Sequence, residues 1–316
     1  MAETGTDLVY AATLLRRGEL VAIPTETVYG LAANALNSDA VMKIYATKKR
    51  PTFNPLIVHL AETNDITKYA QDIPLNTWRL AERFSPGPLT YVLPRKNIIP
   101  DVVTGGGDTV ALRIPAHPMA HELLSLIDFP LAAPSANPSG YISPVSAAHV
   151  AAELGGKIPY VLDGGECAVG LESTVVAFDG DKVLVLRAGG VTLEALQEIC
   201  PQVEMRTGAS TGSPGLLKSH YAPRTRLVVG NLARLADEYA GHRLAVLALS
   251  DFPRAENIIS SEILAANGDL ALAARHLFTA MRRLDQSGAD LIIAERMPEH
   301  GFGIAINDRL ERASAE

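Results

Sequence analysis

Cysteine is scarce in this chain: its 316 residues carry two, Cys167 and Cys200. Two distant thiols make neither a metal-ligand spacing nor a disulfide framework, which excludes a zinc finger and a small disulfide-stapled scaffold. They read as packing residues or free thiols, with mutual pairing the weaker alternative, and the expected location is a reducing cytoplasm. No apolar run reaches the roughly 18 residues that a membrane-spanning helix needs, so no membrane span is expected. The N-terminus, Met1-Ala-Glu-Thr-Gly-Thr-Asp7, is polar and acidic and lacks the pattern of a signal peptide. Excess positive charge is missing too: 28 Lys and Arg face 35 Asp and Glu, a net charge of −7. That balance disfavours a surface that coats nucleic acid and leaves room only for a local basic pocket.

Familiar catalytic signatures are also absent. The chain has no Gly-x-x-x-x-Gly-Lys-Ser/Thr phosphate loop, no Gly-x-Gly-x-x-Gly after a strand, no Gly-x-Ser-x-Gly nucleophile elbow and no histidine pair at zinc spacing. A covalent or metal-hydrolase mechanism therefore finds no support.

What is present is an alternation of short apolar runs with helical patterns. Helices are predicted over 6–17, from Ser38, from Pro74 with Leu75, Trp78, Ala81 and Phe84 inward, over 117–127, from Ser143-Pro144, and from Thr192 to about Cys200. Strands are predicted over 20–23, 56–60, 89–93, 109–115 and 131–133, with a hairpin of 173–178 and 182–187 across Asp179-Gly180-Asp181. Arg206 to Gly215 is rich in Gly, Ser and Thr and reads as a linker. Beyond it, strands at 226–229, 243–249 and 289–294 alternate with helices at 231–240, 269–286 and 303–312, the pattern of a small parallel α/β unit. The expected fold is α/β: a twisted mixed sheet first, then a small Rossmann-like unit. The expected boundaries are a catalytic domain over 1–205, a linker or lid over 206–224 and a C-terminal α/β domain over 225–316.

The chemistry concentrates in loops. Ala46-Thr-Lys-Lys-Arg-Pro-Thr-Phe-Asn-Pro-Leu-Ile-Val-His59 places three cations, an amide and two prolines between a helix and a strand. Prolines restrict such a loop, and Arg offers a planar fork for phosphate or carboxylate. A solvated basic turn followed by a core histidine is the competing reading. Arg113 and Arg187 lie in or at the ends of apolar strands, where an unpaired charge is costly, so each needs an acidic side chain or an anionic ligand. Thr25, Thr27, Asn54, Ser135, Asn137 and Ser143 add hydroxyls and amides. Ser135-Ala-Asn137 also fits plain turn chemistry, and Ser143 fits a helix cap. The collection suits holding a nucleotide and a small carboxylate in register, with catalysis by positioning and charge stabilisation.

Pro24-Thr-Glu-Thr-Val-Tyr-Gly-Leu31, Lys48-Lys-Arg50 with Asn54-Pro-Leu56, Leu112-Arg-Ile-Pro115 and Pro134-Ser-Ala-Asn137 resemble the YrdC/Sua5 family of L-threonylcarbamoyladenylate synthases. Ser213-Pro-Gly-Leu-Leu-Lys-Ser-His-Tyr-Ala-Pro223 resembles the linker of its longer Sua5 type. The resemblance covers nearly the whole chain. It implies formation of threonylcarbamoyl-AMP and pyrophosphate from L-threonine, bicarbonate or CO2, and ATP with Mg2+. The product would serve a separate tRNA threonylcarbamoyl transferase that modifies adenosine 37. Carried over by motif, Thr27, His59, Arg113 and the Ala133 backbone would bind threonine. Arg50, Asn54, Thr109, Ser135, Asn137, Ser143, Arg187 and Tyr221 would hold ATP, with Tyr221 folding over the nucleotide as part of a lid. Lys48 and Arg50 would be catalytic, Lys48 beside the carbamate or phosphates. Lys49, where many relatives are expected to have Gly, would point outward. The alternative is a double-stranded RNA or tRNA-binding factor using the same basic cleft; weak tRNA binding is also compatible with the synthase. A carbamoyltransferase of the hydrogenase-maturation type would need zinc-finger cysteines that two thiols cannot supply.

Overall fold

A computed structural model describes residues 2–206, 220–252 and 254–315. The linker stretch 207–219, and with it most of the expected lid, lies outside the described residues. The chain folds as two units.

The first unit is built on one mixed sheet. In chain order its strands are β1 (Glu3–Gly5), β2 (Val21–Ile23), β3 (Gly30–Asn34), β4 (Ile57–His59), β5 (Leu89–Pro94) and β6 (Thr109–Arg113). They continue as β7 (Leu131–Ala132), β8 (Tyr160–Leu162), β9 (Thr174–Asp179), β10 (Lys182–Arg187) and β11 (Val203–Met205). The spatial order is β1-β8-β2-β3-β7-β4-β6-β5-β9-β10-β11. The central pair β4 and β6 is parallel, with His59 opposite Arg113, so both polar side chains leave the sheet at the same carboxyl edge. Ligands in α/β sheets collect at such edges. The helix Leu8–Arg16 buries Ala11, Ala12, Leu14 and Leu15, and Asp7 caps it by accepting from Tyr10 N–H. Ala11 and Leu15 join Val21, Ile23, Leu131 and Tyr160 in one apolar cluster. The predicted hairpin forms as β9 and β10.

Three local expectations change. The helix Leu75–Phe84 buries Asn76, Thr77, Leu80 and Ala81, while Leu75 is 64% exposed. Asn76 Nδ2 donates to the Asp181 carbonyl at 2.8 Å, and this polar tie rotates the helix away from the face that its large apolar residues suggested. The helix expected from Ser143-Pro144 starts at Ala147 instead, capped by Ser146. The Pro144 carbonyl accepts from Tyr29 N–H at 2.9 Å, which engages this residue outside the helix. Gly30–Asn34, where no strand is predicted, is a strand that pairs antiparallel with β2.

The second unit carries a separate all-parallel sheet of β12 (Leu227–Gly230), β13 (Leu244–Ala248), β14 (Ile258–Ile263) and β15 (Leu291–Glu295), in the order β12-β15-β13-β14. Leu244, Val246 and Ile293 meet Leu232 and Leu235 of the helix Leu232–Glu238 in its core. Two earlier loops, Gly140–Ser143 and Val169–Leu171, belong to this unit. Tyr141 Oη donates to Asp285 Oδ2 at 2.7 Å, and the Arg224 and Arg282 guanidiniums lie over its ring. Gly170 has φ +76°, and a Cβ there would stand 2.5 Å from the Arg275 backbone, so only glycine fits.

Candidate active site

The first unit gathers its polar residues from loops that leave neighbouring strands. Arg113, at the end of β6, is 4% exposed. Its Nη1 donates to Thr27 Oγ1 at 2.8 Å, and its Nε donates to the Gly87 carbonyl at 3.2 Å. Glu26 Oε1 lies 2.7 Å from its Nη2. Of the two partners the sequence allowed, an acidic side chain is therefore present. Glu26 was not singled out from sequence. Its signal was there: one carboxylate between two threonines on the turn that follows a buried strand. Thr25 Oγ1 and Thr27 Oγ1 are 2.8 Å apart, and Thr25 Oγ1 also receives Thr27 N–H and Val28 N–H at 3.2 Å each, so this turn is internally braced.

His59 is 2% exposed, and burial, followed by the Arg113 charge, lowers its pKa to about 3. The ring is uncharged at neutral pH. Cys167, also buried, has its thiol pushed up to about 12 by burial and then by Glu26, so it stays protonated. Ala133 follows β7, and its N–H donates to the Ile57 carbonyl at 3.0 Å.

The basic segment divides into three environments. Lys48 is the last residue of the helix Ser38–Lys48 and is 2% exposed. Its Nζ donates to the Ser135 carbonyl at 2.6 Å and to the Asn137 carbonyl, while burial and then the Arg50 charge press its pKa downward. Lys49 is the helix C-cap in the left-handed region, φ 53°, with its side chain exposed as expected. That conformation is the one in which glycine is cheapest. Arg50 is 9% exposed; its Nε donates to the Asn54 carbonyl at 3.2 Å and its Nη2 to the Pro55 carbonyl at 3.0 Å. These bonds hold the Arg50–Pro55 loop in one shape. Gly105 supports it from behind, at φ +63°, where a Cβ would stand 2.6 Å from the Phe53 carbonyl oxygen. Asn54 Nδ2 is buried without a hydrogen-bond partner among the described residues.

Arg187, at the end of β10, is buried and donates to the Ser173 carbonyl at 2.8 Å from Nη2 and 3.2 Å from Nε. Thr109, at the start of β6, is exposed, at the strand end away from Arg113. The structure thus brings Thr27, Arg113 and His59 together, joins Lys48 to Ser135 and Asn137, and couples Arg50 to Asn54. Ser143 and Tyr221 belong to the second unit. The Ser143 carbonyl accepts from Arg282 Nε at 3.4 Å. Tyr221, φ 65°, is buried with its ring stacked on Phe278 at 5.7 Å and beneath the Arg309 guanidinium at 5.2 Å.

A mixed α/β sheet with Arg113, Thr27 and His59 buried at the carboxyl ends of β4 and β6, and with Lys48, Arg50 and Asn54 buried on the segment that enters β4, has the makings of a protein that binds small anionic substrates. Comparison with known proteins narrows this class. The Sua5/YciO/YrdC family model, described as "Telomere recombination", matches residues 13–189. A second, described as "Threonylcarbamoyl-AMP synthase, C-terminal domain", matches residues 191–315. The threonylcarbamoyl-AMP synthase of Pyrococcus abyssi is 40% identical over 323 residues, covering 96% of this chain and 93% of its own. That of Bacillus subtilis is 40% identical over 323 residues, covering 97% and 92%. The crystal structure of P. abyssi Sua5 complexed with L-threonine matches with a TM-score of 0.90 at 38% identity, over 99% of this chain and 97% of that one. The chain belongs to the Sua5/YciO/YrdC family, in the form that carries the threonylcarbamoyl-AMP synthase C-terminal domain.

Proposed function

We propose that this protein is an L-threonylcarbamoyladenylate synthase, a nucleotidyltransferase. It joins L-threonine, a one-carbon unit from bicarbonate or CO2, and the AMP moiety of ATP, releasing pyrophosphate, and water where bicarbonate is used. The observation that carries this reading is the buried Arg113–Thr27–His59 cluster at the ends of two parallel strands, on a chain 40% identical to a synthase of that name.

The residues act by holding and by balancing charge. Arg113 takes the threonine carboxylate, with Thr27 and His59 around the rest of the amino acid and the Ala133 backbone beside it. Threonine's nitrogen, having given up its ammonium proton, attacks the one-carbon unit to give a carbamate, with a further proton released where CO2 reacts and water where bicarbonate does. A carbamate oxygen then attacks the α-phosphorus of ATP, and pyrophosphate leaves. On the first unit, Arg50, Arg187, Asn54, Asn137, Ser135 and Thr109 are the proposed ATP contacts. Arg50 and Arg187 stabilise charge that grows on the phosphoryl oxygens. Lys48 acts by fixing the carbonyls of Ser135 and Asn137, the segment on which the nucleotide would rest. Carbamates hydrolyse readily, so exclusion of water favours the product. Among the described residues no group of three or more His, Cys, Asp or Glu side chains gathers to hold a metal. Mg2+ is proposed to enter with the triphosphate as MgATP. The product would be consumed by a tRNA threonylcarbamoyl transferase, and the proposed location is the cytoplasm.

The test is pyrophosphate release from ATP, measured with and without L-threonine and bicarbonate. Release that does not depend on threonine refutes the proposal. Filter binding of tRNA over a salt series separates the RNA-binding alternative, because several phosphate contacts give a steep loss of affinity with salt.

A further inference from the structure

Buried polar atoms in native proteins are nearly always hydrogen-bonded, so each exception asks for a reason. Three exceptions involve Arg113 and its neighbours: Arg113 Nη2, Glu26 Oε1 beside it, and Nδ1 of His59, its partner in the parallel ladder, have no hydrogen-bond partner among the described residues. Arg113 and Glu26 are 4% and 8% exposed. Nη2 and Oε1 stand 2.7 Å apart, near enough to attract as charges, but their bonds do not line up for a hydrogen bond. His59 faces Arg113 across the parallel strands β4 and β6.

The two side chains are anchored in mirror fashion. Arg113 is tied by Nη1 to Thr27 and by Nε to Gly87, which leaves Nη2. Glu26 is tied by Oε2, which accepts Ala116 N–H at 3.1 Å, and that leaves Oε1. A fixed donor and a fixed acceptor of opposite charge therefore stand side by side with unused bonding directions. In any α-amino acid the carboxylate carbon and the amine nitrogen are about 2.5 Å apart. One zwitterion can meet both groups.

We infer that Glu26 receives the α-ammonium group of the amino-acid substrate through Oε1, so that Arg113 and Glu26 together form a zwitterion receptor. This rests on the threonine-binding reading above and adds a residue to it. Arg113 gives N–H donors to the carboxylate, and Glu26 takes the ammonium. His59, held uncharged, places no second cation beside that ammonium. Both contacts are charge-assisted and desolvated, the setting in which such hydrogen bonds are strongest.

The test is calorimetric titration of wild type and Glu26→Gln with two ligands: L-threonine directly, and by displacement 2,3-dihydroxybutanoate of matching stereochemistry, in which a hydroxyl replaces the amine. A hydrogen bond to a charged group is worth ~1.5–3 kcal/mol, so Glu26→Gln weakens threonine about 10- to 100-fold. The amine-free acid, which still uses Arg113, changes less than about threefold. Equal weakening of both ligands overturns the inference, since Glu26 would then act only by holding Arg113; so does unchanged threonine affinity. Where Glu26→Gln does not fold, Glu26→Asp serves: it keeps the charge, withdraws it by one methylene, and must also weaken threonine selectively. Failure of wild type to bind threonine at all refutes the functional reading instead, and so is told apart from a failure of the Glu26 assignment.

Discussion

Acidification should unfold this protein through His59. The ring is buried beside Arg113, and its pKa in the folded state is about 3, against 6.5 for the free side chain. Between these values the unfolded chain binds a proton that the folded chain refuses. Stability from this group is therefore complete above pH 6.5 and is lost as pH falls from 6.5 toward 3. The loss approaches ~1.4 kcal/mol per pH unit and amounts to roughly 2 kcal/mol at pH 5. That is a sizeable part of the 5–15 kcal/mol typical of folded proteins. The assay is urea unfolding of wild type and His59→Gln at several pH values between 7.5 and 5.0. The variant has no ring to protonate, so its stability should fall by about 2 kcal/mol less than that of wild type across the interval. Parallel pH profiles would refute the reasoning. So would an NMR titration in which the His59 ring of the folded protein takes up its proton near pH 6.5.

Three further outcomes follow from the geometry. Arg50→Ala should abolish adenylate formation, a loss of at least about 100-fold in threonine-dependent pyrophosphate release, with the circular dichroism spectrum unchanged; normal turnover would remove Arg50 from the site. Lys48→Met strands the buried carbonyls of Ser135 and Asn137 and should cost roughly 2–3 kcal/mol in denaturant unfolding as well as activity; a stability equal to wild type would show that these bonds contribute nothing. Gly170→Ala must force a Cβ into the Arg275 backbone at a left-handed φ, so the thermal transition of the second unit should drop, by at least ~1–2 kcal/mol, and an unchanged transition would refute that packing.

What sequence reveals here depends on the kind of interaction. The alternation of apolar runs with helical periodicity gave the mixed sheet, the 173–187 hairpin and the small parallel sheet, because these follow from patterns within a window of residues. Strands β1, β8, β11 and β14 escaped, since three of them are three residues long and β14 is half exposed, leaving too little pattern to read. The face of the helix at Leu75 differs for another reason: a hydrogen bond from the Asn76 side-chain amide to the Asp181 carbonyl, over a hundred positions away, is invisible to the local apolar spacing. In the candidate site, the need of Arg113 for an anionic partner was legible from its place in an apolar strand. That the partner is Glu26 was not, because the pairing spans 87 positions and depends on which loops the sheet brings to one edge.

The basic segment shows why residue type alone could not assign roles there. Three consecutive cations would share one role if they sat on one face of one element. They do not, because the helix ends between them. Lys48 keeps helical geometry, so its stem runs along the helix into the interior and its ammonium is consumed by two backbone carbonyls. Lys49 takes the left-handed cap, which turns the chain and sends its side chain to water. Arg50 begins the proline-bounded loop and folds back on the carbonyls of Asn54 and Pro55. A guanidinium carries five N–H groups in a planar fork, and an ammonium carries three on one nitrogen. Lys48 can reach a ligand only by giving up the Ser135–Asn137 turn, so the proposed phosphate contact falls to Arg50. The helix cap thus divides the triplet into a strut, a solvated charge and the proposed phosphate contact, and charge reversal at Lys49 should leave turnover nearly untouched while the same change at Arg50 should not.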